Sequence, residues 1–407
     1  MPWKNWAIFL IAVVGLGIAI AVAVRSALAN FWTTAVPGST GVSRIGTLSM
    51  RLVDPHREDP YHSDGAKREL MVRFWYPGAI GQKCRPAEYA SPKVWTRISQ
   101  ISGFPLPRIR TNSCLEAPIT AGPHPVIIFT HGYTGMFTDS TFLFEDLASR
   151  GYVVASVAHS YETTAVEFPD GKLIESVFGS YLNENTLRLD DRSLRLARAV
   201  RLDDLQFVLD ELQRLNSETS PFTGELDTFR IGVMGHSLGG EASISSLEHE
   251  PRIRAGVLLD AVISEESSVG SGKPVLILAA GREQWSEEEC SLWSHLRGVR
   301  FAVNLNGADH FSVSDAIWLS STLPGFSVGT GTMGPAKTIA AVRNYIAVFF
   351  DANLRNKPID PLLTGPASEY PDAIVTTQKQ SLCGEVKSLA GSHSPAAMVI
   401  QTIPDGQ

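Results

Sequence analysis

The sequence has no block of lysine and arginine. Of 407 residues, 35 are Lys or Arg against 42 Asp or Glu, a formal charge of −7. Without a basic stripe there is no electrostatic footprint for a phosphate backbone, so nucleic acid is excluded as a partner. Cysteine is scarce, at four: Cys84, Cys114, Cys290 and Cys383. No C-x-x-C pair occurs and the spacings match no zinc module, so no metal site is expected from them. No internal repeat is evident, which excludes repeat architectures. The remainder, 44% hydrophobic and 19% charged, is ordinary globular composition, long enough for one large domain.

Charge is also missing from one long stretch near the start. Ala7 to Val24, eighteen residues flanked by Lys4 and Arg25, carries none. That length spans a bilayer core as a helix. It is long for a signal peptide, although Ala27-Leu28-Ala29 offers a small-residue cleavage site. Residues 1–30 therefore read as a transmembrane anchor or signal segment. Lys4 against Arg25 is a weak positive-inside bias that puts the rest of the chain outside the cytoplasm, anchored or secreted. An even number of cysteines fits that placement. They allow three pairings, of which Cys84 with Cys114 is the most economical, since both fall in one insertion; free buried thiols are the alternative.

Residues 31–43, rich in Thr, Ser, Gly and Pro, read as a linker. Gly46 to Asp54 and Glu69 to Tyr76 alternate like strands, and residues 77–122 read as an irregular excursion. Then apolar runs such as "HPVIIFT", "YVVASVAH", "FRIGVMG", "RAGVLLD", "PVLILAA" and "VRFAVNL" alternate with helix-like segments, the longest from about Asp191 to Leu215. Strands apolar on both faces, alternating with helices, imply an α/β fold with a mostly parallel sheet covered on both sides. One catalytic domain over 44–356 is the economical division, with 357–407 a C-terminal surface extension.

The chemistry centres on "IGVMGHSLGGEAS", where Gly235, Gly239 and Gly240 surround Ser237. Glycine clusters mark tight backbone geometry. An N-cap serine in a turn would account for Ser237 alone. The strand–turn–helix context of G-x-S-x-G points instead to a nucleophile elbow, which thrusts the hydroxyl out between strand and helix. A serine needs a base, and the base needs an acid to hold its tautomer. In α/β-hydrolases these follow in the order Ser, Asp or Glu, His. Of the later histidines, His249 ends the elbow helix, His295 lies in a charged run and His393 in the tail. His310 follows the last parallel strand across a glycine-bearing loop and is the candidate base. Asp260, ending "RAGVLLD", is the favoured acid; Glu283, one strand later, is the alternative. The oxyanion donors expected are the N–H groups of Leu238 and of Tyr133, in "THGYTG".

"VRFWYP", "THGYTG", "VVASVAH", "GHSLGG", "LLDA" and "GADHFSVSD", in this order, resemble the platelet-activating factor acetylhydrolases, the secreted and type II intracellular enzymes. The resemblance runs from about Arg68 to Phe350. It implies the α/β-hydrolase fold, with Ser237, Asp260 and His310 as triad and Tyr133 and Leu238 as oxyanion donors. It further implies hydrolysis of phospholipids with a short or oxidised sn-2 acyl group, without cofactor. A general carboxylesterase or polyester hydrolase, a peptidase or amidase, and an inactive hydrolase-like binding module are the rival readings. Oligomeric state is not legible. Three other features stand out. Gly329 to Gly334 matches G-x-G-x-x-G, but no strand leads into it, so it reads as a loop. His56 and His62 sit among carboxylates in what reads as a solvated loop. His159 ends a neighbouring strand, as a core or pocket-rim residue.

Overall fold

The computed structural model describes residues 33–79, 81, 83–103, 105–322 and 329–383. The expected membrane or signal segment, Ala7 to Val24, lies outside them. Among the described residues no helix is long and apolar enough to cross a membrane.

The strands in chain order are β1 (Thr33–Ala35), β2 (Ile45–Glu58), β3 (Lys67–Pro77), β4 (Pro86–Glu88), β5 (Arg108–Leu115), β6 (His124–Thr130), β7 (Val153–Ala158), β8 (Ala165–Glu167), β9 (Leu173–Glu175), β10 (Leu226–His236), β11 (Ile253–Leu259), β12 (Val275–Ala280), β13 (Arg300–Leu305) and β14 (Ala373–Thr377). The helices are α1 (Pro92–Ser102), α2 (Thr141–Ser149), α3 (Asp191–Ser217), α4 (Leu238–His249), α5 (Glu287–His295), α6 (Ala316–Thr322) and α7 (Pro335–Leu354). One large sheet runs β1-β5-β2-β3-β7-β6-β10-β11-β12-β13-β14, with β4 on β5, while β8 and β9 form a separate hairpin. From β7 through β13 all neighbours are parallel.

Alternate side chains of these strands feed two cores. Ile127 and Phe129 of β6 face one cluster with Phe142 and Leu147 of α2 and Val342 and Phe349 of α7. Val126 and Ile128 face the other, with Leu205 and Leu209 of α3, Ile244 of α4 and Leu292 of α5. This two-sided burial is what makes the strands read as continuous apolar runs. Functional groups are left only one place to emerge, the carboxyl ends of the strands.

Three segments are more ordered than their composition suggests. The linker-like residues supply β1, paired in parallel with β5, and bury Val36. Arg343 of α7 donates to the Pro37 and Gly38 carbonyls, and Thr40 bonds Asp146 of α2. Polar, Pro-rich composition permits a mobile linker, but carbonyls that find buried donors are fixed. The excursion over 77–122 contains α1, with Ser91 as N-cap and Pro92 in its first turn, and two strands. A disulfide, Cys84–Cys114, closes it. The C-terminal extension is not confined to the surface either. Leu363 is fully buried, β14 pairs antiparallel with β13, and Cys383 is bonded to Cys290 of α5. Among the described residues no cysteine is free.

Candidate active site

Strand β10 ends at His236, α4 begins at Leu238, and Ser237 between them has φ 55° and ψ −122°. Non-glycine residues avoid that region, and the strain persists only because packing on every side imposes it. The three glycines explain how. A Cβ on Gly235 would lie 2.1 Å from the Gly239 carbonyl oxygen, and one on Gly239 would lie 2.1 Å from the Thr130 carbonyl oxygen. One on Gly240 would lie 2.5 Å from Ala261 Cβ. Helix α4 thus presses against β10, β6 and the end of β11 at once.

The Ser237 N–H donates to the Leu259 carbonyl at 3.0 Å, which ties the elbow to the strand end carrying Asp260. Asp260 is 2% exposed and itself has φ 40°. Its Oδ2 lies 2.6 Å from His310 Nδ1. Its Oδ1 accepts from the Ala280 N–H at 3.0 Å and faces Arg282 at 3.2 Å. Burial pushes this carboxyl up, but the bond to His310 and the pull of that ring, the Arg282 charge and the Ala280 N–H together hold it below the usual carboxylate range. The aspartate is therefore an anion at neutral pH.

His310 opens a short 3₁₀ turn, His310–Val313, capped by Asp309, and its side chain is 25% exposed. Its carbonyl accepts from His236 Nε2 at 2.9 Å, and the two rings lie 4.6 Å apart. Burial and the neighbouring His310 push His236 down to about 3, so this imidazole stays neutral and donates through Nε2. The G-x-G-x-x-G stretch is used here as well: the Gly329 and Thr330 carbonyls accept from Phe311 N–H and Ser312 Oγ. It braces the histidine turn.

On the other side of Ser237, a Cβ on Gly132 would lie 3.4 Å from Ser237 Cβ. Tyr133 follows, its ring stacked on Phe178 at 5.4 Å and its hydroxyl bonded to the Arg188 carbonyl. Leu238 and Phe178 share a small apolar cluster against which Tyr133 packs. The structure thus gathers Tyr133, Ser237, Leu238, Asp260 and His310 at one end of the sheet. Glu283 is exposed, and the carboxylate that contacts His310 is that of Asp260, which Arg282, beside Glu283, also reaches. His159 is fully buried, bonded to Asp204 at 2.9 Å and to Thr130 Oγ1 at 2.8 Å, as a core residue. His62 packs its ring on Tyr161 at 4.4 Å.

Sequence reasoning passed over His236 and Arg282. His236 occupies the variable position of the elbow motif, and Arg282 sits beside the glutamate that attracted attention; nothing local marks either one.

Known proteins similar to this chain include esterases. A probable 1-alkyl-2-acetylglycerophosphocholine esterase of Arthroderma benhamiae is 25% identical over 271 residues, 61% of this chain and 65% of that protein. A platelet-activating factor acetylhydrolase of Bos taurus is 24% identical over 56% of this chain and 57% of its own length. The chain thus spans less than two thirds of the length of these curated relatives. A solved ferulic acid esterase from Streptomyces cinnamoneus superimposes with a TM-score of 0.71 at 32% identity, over 84% of this chain and 99% of that one. The sequence model of the platelet-activating factor acetylhydrolase, isoform II, family matches residues 95–357, and the chain belongs to that family.

Proposed function

We propose that this chain is a serine hydrolase of carboxylic esters that works through an acyl-serine. The observation that carries the reading is the 2.6 Å contact of His310 Nδ1 with buried, ionised Asp260, set beside a serine held at φ 55°. Asp260 accepts from Nδ1–H and so leaves Nε2 unprotonated. Nε2 takes the proton as Ser237 Oγ attacks the ester carbonyl. The Tyr133 and Leu238 N–H groups stabilise the oxyanion of the tetrahedral intermediate. Its collapse expels the alcohol, protonated by His310, and leaves the acyl group on Ser237. Water then attacks with His310 again as base, releasing acid and free serine. The cycle needs no cofactor.

For substrate, the family supports a phospholipid with a short or oxidised sn-2 acyl chain. A second reading, an aromatic or polymeric ester, draws on the ferulic acid esterase and on a pocket lined by Tyr89, Trp95, Met136, Asp139, Tyr181 and Leu319. Tyr181 stacks at 5.4 Å on Phe311, the residue after His310, which puts this pocket next to the histidine turn. Two disulfides favour an oxidising location outside the cytoplasm. Ala7 to Val24 as a membrane anchor would keep the domain near lipid; cleaved, it would leave a secreted enzyme.

The test is hydrolysis of glycerophosphocholines with sn-2 acyl chains from acetyl to palmitoyl, beside a feruloyl ester, together with labelling by a fluorophosphonate. Fast turnover of the acetyl lipid alone supports the first substrate class, and a preference for the feruloyl ester the second. A chain that neither labels nor hydrolyses any ester is the binding module. Hydrolysis of amides at rates matching esters would instead favour the peptidase reading.

A further inference from the structure

Arg201, on α3, has a fully buried side chain. A guanidinium carries five donors in a rigid fork, and a buried one must be paired. Its Nε donates to Glu162 Oε2 at 2.7 Å. Its Nη1 donates to the His131 carbonyl, and its Nη2 to the Gly132 carbonyl at 3.2 Å. One arginine therefore grips two consecutive peptide units of the loop that faces Ser237.

Those units, His131–Gly132 and Gly132–Tyr133, are trans. In a trans peptide the N–H points opposite to the C=O. Carbonyls drawn toward α3 therefore turn the Gly132 and Tyr133 N–H groups away from it. The Gly132 carbonyl also accepts from His131 Nδ1 at 2.7 Å and from the Gly135 N–H at 3.0 Å. His131 is buried, and burial together with the Arg201 charge holds it well below its ordinary pKa, so it is neutral and donates from Nδ1. Behind Arg201, the Tyr61 hydroxyl donates to Glu162 Oε1 at 2.7 Å and completes the support.

We propose that Arg201 is a positioning residue for ester hydrolysis: held by Glu162, it sets the direction of the loop N–H groups that stabilise the oxyanion. This rests on the ester-hydrolase reading above. Arg201 touches no substrate. Its effect is confined to the transition state, where a donor tilted off line loses most of its value while ground-state binding hardly changes.

Two variants test it. Arg201→Lys keeps the charge but loses the fork. The double variant Arg201→Met with Glu162→Gln removes cation and anion together, so neither is left buried alone. kcat and KM are measured on p-nitrophenyl acetate, with inhibition by a trifluoromethyl ketone, at a temperature where near-UV circular dichroism shows native packing. The double variant should lose about 10²-fold in kcat, with KM within about threefold and the ketone binding weaker by a similar factor. Arg201→Lys should fall between the double variant and wild type. A folded double variant with kcat within threefold of wild type overturns the proposal; if it does not fold, Arg201→Lys is judged by the same threshold. Wild-type protein that turns over no ester would remove the hydrolase reading itself, and the clamp with it.

Discussion

At the scale of single residues, the site is a set of side chains whose ionisation is fixed by neighbours. Ser237→Ala should abolish ester turnover and fluorophosphonate labelling while leaving the melting temperature near wild type; residual activity within tenfold would remove Ser237 as nucleophile. Asp260→Asn should lower kcat by about 10⁴, the loss seen when a serine-protease triad loses its tautomer-fixing carboxylate. Glu283, exposed while Asp260 holds His310, gives the matched control: Glu283→Gln should stay within about threefold of wild type. The reverse ranking would transfer the acid role to Glu283. Asp260 also has Arg282 at 3.2 Å, so Arg282→Met should raise the Asp260 carboxyl, read as an upward shift of its titration in carbon-13 NMR; an unmoved titration would mean that Arg282 does not act on it.

Among the elements, close approach of α4 to three strands is what holds Ser237 strained. Gly239→Ala would push a methyl into the Thr130 carbonyl and separate α4 from β6. A loss of about 1–3 kcal/mol or more is expected, measured by urea denaturation, with activity falling further than stability because the elbow relaxes. An unchanged midpoint would mean the helix yields without strain. Covalent links act at the same scale. Cys290–Cys383 closes a separation of 93 residues and pins the segment after β14 to α5. In a chain-entropy treatment a loop of that length stabilises by about 4–5 kcal/mol, against about 3–4 for the separation of 30 between Cys84 and Cys114. Cys290→Ser should therefore lower the melting temperature more than Cys84→Ser, and thiol titration of unreduced protein should find both pairs closed. Four titratable thiols would contradict the links.

Across the whole molecule, buried histidines should make the fold sensitive to acid. Burial lowers His131, His159 and His236, the last to about 3, against the contrary pull of Asp204 on His159. An unfolded histidine takes up a proton near 6.5. Below that pH the unfolded state holds more protons than the folded one, so stability falls as pH drops toward the folded values. Asp139 and Asp315 act in the other direction. Burial pushes both up to about 7, so their share of stability is lost as pH rises from about 4 to 7. Three imidazoles outweigh two carboxyls, and the net loss between pH 6.5 and 5 should be on the order of 1 kcal/mol per pH unit. Urea midpoints at pH 6.5 and 5.5 should fall in that order; an unchanged midpoint would mean the imidazoles are charged in the folded state. The N-terminal packing gives a second whole-molecule test. A chain beginning at Val42 loses β1, buried Val36 and the carbonyls that Arg343 grips, and should melt lower than one beginning at Phe31. Comparing the chain from Phe31 with the full-length chain on vesicles then isolates Ala7 to Val24. Equal rates would mean that this segment only directs export.

The local pattern of the sequence determined what local forces control. Strands apolar on both faces specified a parallel sheet between helices, because no other arrangement buries both faces. Three glycines around Ser237 specified a turn too tight for side chains. Histidine position after the last parallel strand singled out His310, since strand ends are where a covered sheet opens. The choice between Asp260 and Glu283 was different: each ends an apolar strand, and only the folded chain decides which carboxylate lies 2.6 Å from His310. The same holds for His236, Arg282 and Arg201, whose partners lie 74, 22 and 69 residues away in the chain. Nor did composition reveal that residues 33–43 and 357–383 are built in. A Pro- and Gly-rich stretch is ordered or free according to whether distant donors reach its carbonyls, and Arg343 and β13 supply them only once the sheet has formed.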